Sequence, residues 1–497
     1  MQPSHERSAD FQVCCIAGFQ TRQSQNGERS ADLEIGDTAG LETCATMPRF
    51  NAPRETADRP AAGKISLIRP ATAICFCAIA IVFSNSARAA NFPWDWTGII
   101  GTGQSLSVGE KGRPVLSTNQ PYHNLKLSTD DLPWPIDSDD TKLSLVPLVE
   151  PIGRLSPSYP SSWPENIAGE TPHSAMANEI TALVQARFRR DYVTIHSAVG
   201  ENGQGMVFLK KDAVQRGLNG RSYAAAMIET RAITRLARAA GKTYGVGAIV
   251  VTHGETDAGN KDYENELYQL WSDYNTDLRA ITGQRQKIPM ILSQQNTCAD
   301  RSASTLAQWK IGVDYPADFV CSCPKYQYPS PEGIHLTAKG YQLLGEKYGQ
   351  VYFEKIVLGR NWRPLEPLKA TRDGKTITVR YHVPVPPMVW DTNMESPHAS
   401  VAEWKNGNGF EVTASDGSRV AIDSVAISGV DVIVTCASDP GPGALVSYAM
   451  IGEKKRMQTP FPGSPRWGLL HDSDPFIGAV TGQAQPNYGV AFEMRLP

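Results

Sequence analysis

Short apolar segments alternate with longer segments of helical periodicity over about residues 91–352. The apolar segments have the length and side chains of buried strands, and they comprise residues 192–195, 247–251 and 289–292. The helical segments carry apolar residues at three- and four-residue spacing, and they comprise residues 222–239, 263–281 and 337–352. Repeated strand–helix alternation packs as a parallel sheet covered by helices on both faces. The sequence therefore predicts an α/β domain, a three-layer parallel-sheet structure, over residues 91–360.

The pattern changes after about residue 368. Several short segments alternate with a period of two, and Gly, Asn, Asp and Pro separate them; they comprise residues 376–381, 410–413, 426–428 and 432–434. Period-two alternation is typical of half-buried strands, and no helical period is visible in this part of the sequence. The sequence therefore predicts an all-β sandwich domain over residues 367–497. A chain of 497 residues is long enough for two such domains.

An apolar run near the amino end has the features of an export signal. Residues 71–83 are apolar, but the run is too short to cross a bilayer comfortably as a helix. Lys64 and Arg69 precede it, and the small-residue sequence Ala87-Arg88-Ala89 follows it. These three parts predict a cleaved signal peptide over residues 64–89, with a short membrane anchor as the alternative.

The segment that precedes this signal is polar and lacks any apolar period. We expect residues 1–63 to be disordered or to precede the true start of translation, with Met47 as a candidate start. Cleavage after Ala89 leaves a mature protein that is secreted or periplasmic and has no membrane partner.

Composition and motif content exclude several classes of protein. The formal net charge of -3 at pH 7 leaves no basic excess to neutralise a phosphate backbone, so we expect no nucleic-acid partner. The sequence contains neither a His-Glu-x-x-His nor a Cys-x-x-Cys motif, so we expect no metal and no cofactor. Four cysteines follow the signal region, and a disulfide between Cys298 and Cys321 or Cys323 is the preferred pairing.

Four polar turns follow predicted strands or loops of the α/β region. They are residues 101–107, 200–204, 252–257 and 332–336. Because ligands of open α/β sheets bind outside the carboxyl ends of the strands, we expect these turns to converge on one crevice.

Each turn offers a group that acyl transfer requires. The Ser105 hydroxyl becomes a nucleophile when a base takes its proton, and His335 can be that base. Glu332, three residues before His335, can fix the tautomer of the imidazole. The backbone N–H groups of Ser105 and Gly200 can bind a developing oxyanion, with Gly203 as a substitute for Gly200. The alternative for Ser105 is a helix-capping serine.

The four turns together resemble the conserved blocks of the SGNH (GDSL-like) hydrolases, and within them the sialate O-acetylesterase-like carbohydrate esterases. The resemblance spans residues 97–352 and rests on Gly103-Gln104-Ser105, Gly200, His253-Gly254-Glu255-Thr256-Asp257 and Glu332-Gly333-Ile334-His335, in that order. It implies a Ser105 nucleophile, a His335 base and a Gly200 oxyanion donor. Gln104, Glu255 and Asp257 are the candidates for substrate binding, and the alternative for Glu255 and Asp257 is a structural role in bonding neighbouring loops.

Two positions depart from the family pattern. Glu332 occupies the position of the family's aspartate, and Asp300 or Asp314 could serve as the acid instead. His253 occupies the position of an oxyanion-binding Gln or Asn; a neutral imidazole can donate one hydrogen bond there, and its protonation would follow pH.

The predicted function is that of a secreted serine esterase that removes O-acetyl groups from a carbohydrate. The acetyl-sugar substrate is implied by the resemblance alone, since a fold does not fix a substrate. The alternatives are a lipid or other small-ester hydrolase on the same fold, and a catalytically inactive carbohydrate-binding protein. Residues that could line a substrate cleft are Tyr122, His123, Trp134, Glu170, His173 and Tyr326.

Overall fold

The computed structural model describes residues 92–128, 143–155, 166–212, 214–215, 218–219, 221–297, 299–453 and 463–497. The polar segment 1–63 and the predicted signal peptide 64–89 therefore lie outside the described residues, as do Trp134 and Cys298. The described chain begins with an α/β region and continues into a β-rich region.

The α/β region contains the strands β1 (Trp96–Gly103), β2 (Leu125–Ser128), β3 (Ser144–Pro147), β4 (Val193–Ala198), β5 (Val214–Gln215), β6 (Leu218–Asn219), β7 (Tyr244–Thr252), β8 (Met290–Gln294) and β9 (Phe319–Pro324). Its helices are α1 (Pro172–Phe188), α2 (Met206–Leu209), α3 (Arg221–Ala239), α4 (Tyr263–Thr282), α5 (Ala303–Asp314) and α6 (Ala338–Tyr352). A 3₁₀ turn, Ser105–Val108, follows β1, and a π-helical turn, Phe353–Val357, follows α6.

A seven-stranded sheet organises the α/β region. Its strand order is β3-β2-β4-β1-β7-β8-β9, and β3 is antiparallel to β2 while the other pairs are parallel. Alternate residues of β7 pack to opposite sides: Ile249 and Val251 join α3 and α4 in one buried cluster, whereas Ala248 and Val250 join α1 and α6 in another. The predicted α/β class is confirmed, with the antiparallel strand β3 as an addition at one edge.

The β-rich region consists of β10 (Glu366–Asp373), β11 (Thr376–His382), β12 (Val389–Trp390), β13 (Phe410–Thr413), β14 (Ile422–Ser428), β15 (Asp431–Cys436), β16 (Leu445–Tyr448), β17 (Leu470–His471) and β18 (Phe492–Arg495). They form antiparallel sheets of order β10-β11-β15-β14, β13-β16-β18 and β12-β17. A β-rich region after the α/β region was expected. Its description as a two-sheet sandwich, and the predicted domain limits, remain predictions.

The two regions share a buried interface. Trp309 of α5 and Cys321 of β9 lie in the same apolar cluster as the β-rich strands. Gln294, at the end of β8, exchanges two hydrogen bonds with the backbone of Ala491, at 2.8 Å each. The carboxyl-terminal segment therefore packs against the end of the sheet that carries the predicted site.

The cysteines of β9 correct one expectation. Cys321 and Cys323 are free thiols, and both are almost fully buried. Cys321 packs toward the β-rich region, whereas Cys323 packs in the cluster beneath α6. The predicted disulfide to Cys298 is therefore wrong, because each side chain is taken up by a packed core.

Close packing of α6 on α1 depends on a glycine. A Cβ added to Gly345 would lie 2.2 Å from the Pro172 carbonyl oxygen and 2.9 Å from the Ala175 Cβ. Neither neighbour is the end of a flexible side chain, so the two helix backbones would have to separate.

We expect Gly345→Ala to lower the free energy of unfolding by about 1–3 kcal/mol, because overpacking outweighs the better helix propensity of alanine. Gly259→Ala is the control, since a methyl group there meets nothing within 4 Å. Urea unfolding measures both variants. Equal stabilities of the two variants would contradict the close approach of α1 and α6.

Candidate active site

The end of β1 places Ser105 beside the end of β7. Gly103 has a φ of 140°, and a Cβ there would lie 2.1 Å from the Thr252 carbonyl oxygen. The Gln104 N–H donates to that same oxygen at 3.2 Å. Because only glycine fits at position 103, the chain turns sharply, and Ser105 begins the 3₁₀ turn at the carboxyl edge of the sheet.

Ser105, His335 and Glu332 form a hydrogen-bonded chain. The His335 Nε2 atom lies 2.8 Å from the Ser105 Oγ atom. The Nδ1 atom of His335 bonds to Glu332 Oε1, which also accepts the His335 backbone N–H at 3.2 Å. Because a carboxylate only accepts, Nδ1 carries the proton, and Nε2 is left to accept the Ser105 hydroxyl proton.

The loop that carries His335 is fixed by its own hydrogen bonds. The Gly333 N–H donates to the Ser330 Oγ atom at 2.7 Å, and Gly333 has a φ of 89°. Thr337, two residues after His335, caps α6 by accepting the Gly340 N–H at 3.1 Å. The rigid start of α6 therefore determines where the imidazole lies.

The two alternative acids lie elsewhere. Asp300 accepts the backbone N–H of Gly452, in the β-rich region, at 2.8 Å. Asp314 is the last residue of α5 and lies beside Glu264. Of the three candidate acids, Glu332 is the one that the structure brings to His335.

Gly200 lies directly beside the Ser105 turn. A Cβ at this position would lie 1.9 Å from the Ser107 Oγ atom and 2.9 Å from the Gly103 carbonyl oxygen. Its neighbours Val199 and Glu201 donate their N–H groups to the carbonyl oxygens of β1, at 2.8 and 2.9 Å. Gly200 therefore lies at the carboxyl edge of the sheet, in close contact with the turn that carries Ser105.

His253 does not present a hydrogen to the site. Its Nε2 atom lies 2.9 Å from the Gln204 carbonyl oxygen, which can only accept, so Nε2 carries the proton. Its Nδ1 atom then accepts the Tyr263 hydroxyl hydrogen at 2.7 Å. Burial lowers the pKa of His253 and keeps the imidazole neutral at neutral pH. Both ring nitrogens are used within the protein, contrary to the expectation that His253 donates to an oxyanion.

The substrate-binding candidates also bond within the protein. The Thr256 N–H donates to Gln104 Oε1 at 3.1 Å. Asp257 accepts the Met206 N–H at 2.8 Å, which caps the short helix α2. Glu255 Oε1 accepts from the Lys325 ammonium group at 2.5 Å, and both side chains are almost fully buried. These residues hold the loops of the site in place, which is the alternative role considered for Glu255 and Asp257.

Several supporting residues were not predicted from the sequence. Tyr263 bonds His253, Lys325 pairs with Glu255, and Asn166 donates to the Gly200 carbonyl oxygen at 2.8 Å. Lys325 directly follows β9, so the rule that selected the four turns would also have selected it. Tyr263 and Asn166 carry no comparable signal, because only the folded chain brings them to the turns.

The candidate cleft residues divide by burial. His173 and Tyr326 are buried, and burial lowers the pKa of His173 to about 4. Glu170 is buried and accepts hydrogen bonds from Ser117. His123 is exposed and bonds Asp191 at 2.6 Å. Tyr122 lines a separate cavity.

Two further properties concern the part of the chain that the structure describes. In that part, no group of three or more His, Cys, Asp or Glu side chains is placed to hold a metal ion. None of the helices described combines the length and the apolar character needed to cross a membrane.

Comparison with known proteins finds likeness at the level of structure. No family model and no curated protein sequence matches the chain. A carbohydrate acetylesterase from Xanthomonas citri superposes with a TM-score of 0.51 at 14% identity, over 80% of each chain. This likeness shows a shared fold for the α/β and β-rich regions together.

Two other solved structures are more distant. A protein from Arabidopsis thaliana has a TM-score of 0.38 at 18% identity, over 53% of this chain and 100% of its own. NanS has a TM-score of 0.32 at 10% identity, over 53% of this chain and 98% of its own.

We expect Lys325→Met to lower the free energy of unfolding by about 3–5 kcal/mol, because it leaves the buried Glu255 carboxylate without its cation. The double variant Lys325→Met/Glu255→Leu should recover most of this loss, since it removes both charges. Urea unfolding of the two variants measures the difference. If the double variant is no more stable than the single variant, the two buried charges are not coupled.

Proposed function

We propose that this protein is a serine esterase that removes O-acetyl groups from a carbohydrate. The observation that carries the proposal is the hydrogen-bonded chain from Ser105 through His335 to Glu332. A hydroxyl, an imidazole and a carboxylate in this order are the groups that nucleophilic acyl transfer uses.

In the first half of the reaction, Ser105 Oγ attacks the acetyl carbon while His335 Nε2 takes the hydroxyl proton. Glu332 holds the imidazole through Nδ1 and stabilises the imidazolium that forms. The tetrahedral intermediate then collapses. His335 donates the proton from Nε2 to the sugar oxygen, and the sugar alcohol leaves an acetyl group on Ser105.

The oxyanion of each tetrahedral intermediate requires preorganised donors. We assign this role to the backbone N–H groups of Ser105 and Gly200, because these two residues begin the turns that meet at the end of β1. Gly203 is less suited, since it lies three residues further along the loop. His253 is left out of the oxyanion site, because its ring N–H already bonds the Gln204 carbonyl oxygen.

In the second half, a water molecule takes the place of the sugar. His335 Nε2 accepts a proton from this water as the water oxygen attacks the acetyl carbon. The tetrahedral intermediate then collapses, the bond from the acyl carbon to Ser105 Oγ breaks, and Nε2 returns the proton to Ser105 Oγ as acetate leaves. No step of this sequence requires a metal ion or an organic cofactor.

The acetylated-carbohydrate substrate is supported by two observations. The structural neighbour from Xanthomonas citri is a carbohydrate acetylesterase, and it shares the fold over 80% of each chain. The four turns resemble the blocks of SGNH carbohydrate esterases. A panel of acetylated xylan, acetylated pectin, O-acetyl sialic acid and a long-chain acyl ester tests the assignment. Preference for the long-chain ester would favour a lipid hydrolase instead.

The remaining sequence expectations complete the proposal. The exported mature chain begins near Ala90, an SGNH-like esterase domain spans residues 91–360, and a β-sandwich accessory domain spans residues 367–497. Amino-terminal sequencing of the exported protein tests the cleavage site. Retention of Ile79 in the mature protein would contradict it.

Ser105→Ala should lower turnover of p-nitrophenyl acetate by about a thousandfold or more, because the residues of such a triad act as a unit. Ser424→Ala, at an exposed position of β14, is the matched control and should retain the wild-type rate. Steady-state kinetics measure both variants. A wild-type rate in Ser105→Ala would exclude Ser105 as the nucleophile, and no turnover by the wild-type protein on any ester of the panel would favour an inactive binding protein.

Glu332→Gln should lower turnover at neutral pH, because the amide no longer stabilises the imidazolium. The loss of turnover should be smaller than that of Ser105→Ala by about tenfold or more, since the acid contributes less than the nucleophile. Asp300→Asn and Asp314→Asn are the controls and should retain activity. A silent Glu332→Gln beside an inactive Asp300→Asn or Asp314→Asn would show that the acid has been misassigned.

A further inference from the structure

A cavity of about 440 Å³ lies along α1 and α6, outside the candidate active site. Its walls come from the segment after the Ser105 turn, from the two helices and from the carboxyl-terminal segment. They include Ser117, Tyr122, Asn178, Gln342 and Val480. Ser105, His335 and Glu332 are not among its lining residues. Its volume lies in the range of about 300–1,000 Å³ that small-molecule sites occupy.

The lining combines polar and apolar surfaces in one place. Ser117, Asn178 and Gln342 are buried polar side chains of the lining, and the Ser117 hydroxyl already bonds Glu170 and Gln342. Tyr122 is half-buried, and Leu116 is 46% exposed at the mouth. A sugar ring presents apolar C–H faces and hydroxyl edges, so an aromatic ring beside amides and a hydroxyl matches its chemistry.

The walls are held in place without a ligand. Gln342 Nε2 donates to the Ser117 Oγ atom at 3.1 Å, and the Ser117 N–H donates to buried Glu170 at 3.1 Å. On the opposite side, Glu179 accepts the Ala479 N–H at 2.6 Å, and Glu346 accepts the Val480 N–H at 2.8 Å. A preformed wall avoids the entropy loss of ordering the site on binding.

The charges around the cavity disfavour an anion. All of the described residues that line it are uncharged. Two buried carboxyl groups adjoin this lining: Glu170 accepts hydrogen bonds from Ser117, and Glu179 is the residue after Asn178 on α1. A uronic or sialic acid would find no cationic partner among the described lining residues.

We propose that this cavity binds a neutral oligosaccharide, as a carbohydrate-binding site separate from the catalytic centre. This goes beyond the esterase function, because binding in the cavity requires none of the chemistry of Ser105. A neutral oligosaccharide segment bound here would keep the enzyme on a polysaccharide between successive deacetylation reactions.

Isothermal titration calorimetry on the full-length Ser105→Ala variant tests the proposal without turnover. The probes are the unacetylated neutral tetrasaccharides xylotetraose, cellotetraose and mannotetraose, with trigalacturonic acid as the anionic comparison. At least one neutral probe should bind saturably. Tyr122→Ala in the same background should raise its Kd by about tenfold, since loss of one stacking or hydrogen-bonding side chain is worth about 1.4 kcal/mol.

Tyr268→Ala is the matched control, because Tyr268 is a tyrosine on α4 that is 38% exposed and does not line the cavity. It should leave the Kd unchanged. Gln342→Leu provides a second variant that removes an amide from the inner wall and keeps a similar volume. The inference is overturned if no neutral probe binds, if Tyr122→Ala and Gln342→Leu bind like the parent, or if trigalacturonic acid binds more tightly.

The outcome is independent of the esterase assay. Tyr122-dependent binding in a protein that hydrolyses no ester would retain this site and remove the proposed function. Ester turnover that depends on Ser105, together with sugar binding that is unchanged in Tyr122→Ala, would support the proposed function and remove this binding site.

Discussion

The carboxyl end of β1 lies so close to its surroundings that its glycines have no room for a side chain. A Cβ at Gly103 would meet the Thr252 backbone, and one at Gly101 would lie 1.9 Å from the His173 ring. Gly200, on the loop after β4, is equally close to Gly103 and Ser107. These close contacts place the Ser105 turn, the Gly200 loop and the end of β7 next to one another. This backbone packing is what brings the reacting side chains together.

Buried charged side chains hold the loops around the carboxyl end of β1 in place. Lys325 joins the loop that leads to His335 with the turn that carries Glu255. Lys347, on α6, donates to Gln350 and to Gln485 and Asn487 of the carboxyl-terminal segment. A buried charge is tolerated only when it is paired or fully hydrogen-bonded, so each of these groups accepts few alternative arrangements. The β-rich region thereby helps to hold α6 in place, and α6 begins shortly after His335 in the sequence.

The sequence predicted the features that follow from periodicity and from strand order. The alternation of strands and helices gave the α/β class, and the position of the turns after strands predicted that Ser105, Glu332 and His335 would lie together. The environment of His253 could not be predicted, because Tyr263 and the Gln204 carbonyl oxygen reach it only in the folded chain. The bonds between Gln294 and Ala491 span 197 residues, and no local pattern encodes such a pairing. The free thiols of β9 were missed for the same reason, since cysteine spacing does not report which core surrounds each side chain.

In the proposed mechanism, His335 activates Ser105 for attack on an acyl carbon. A fluorophosphonate ester tests it directly, because an activated serine hydroxyl displaces fluoride and forms a stable bond to phosphorus. Peptide mass spectrometry after labelling should locate one phosphonyl group on Ser105 in the wild-type protein and none in His335→Ala. Labelling of another residue, equal labelling of Ser105 in both proteins, or no labelling of the wild-type protein would contradict the activation of Ser105 by His335.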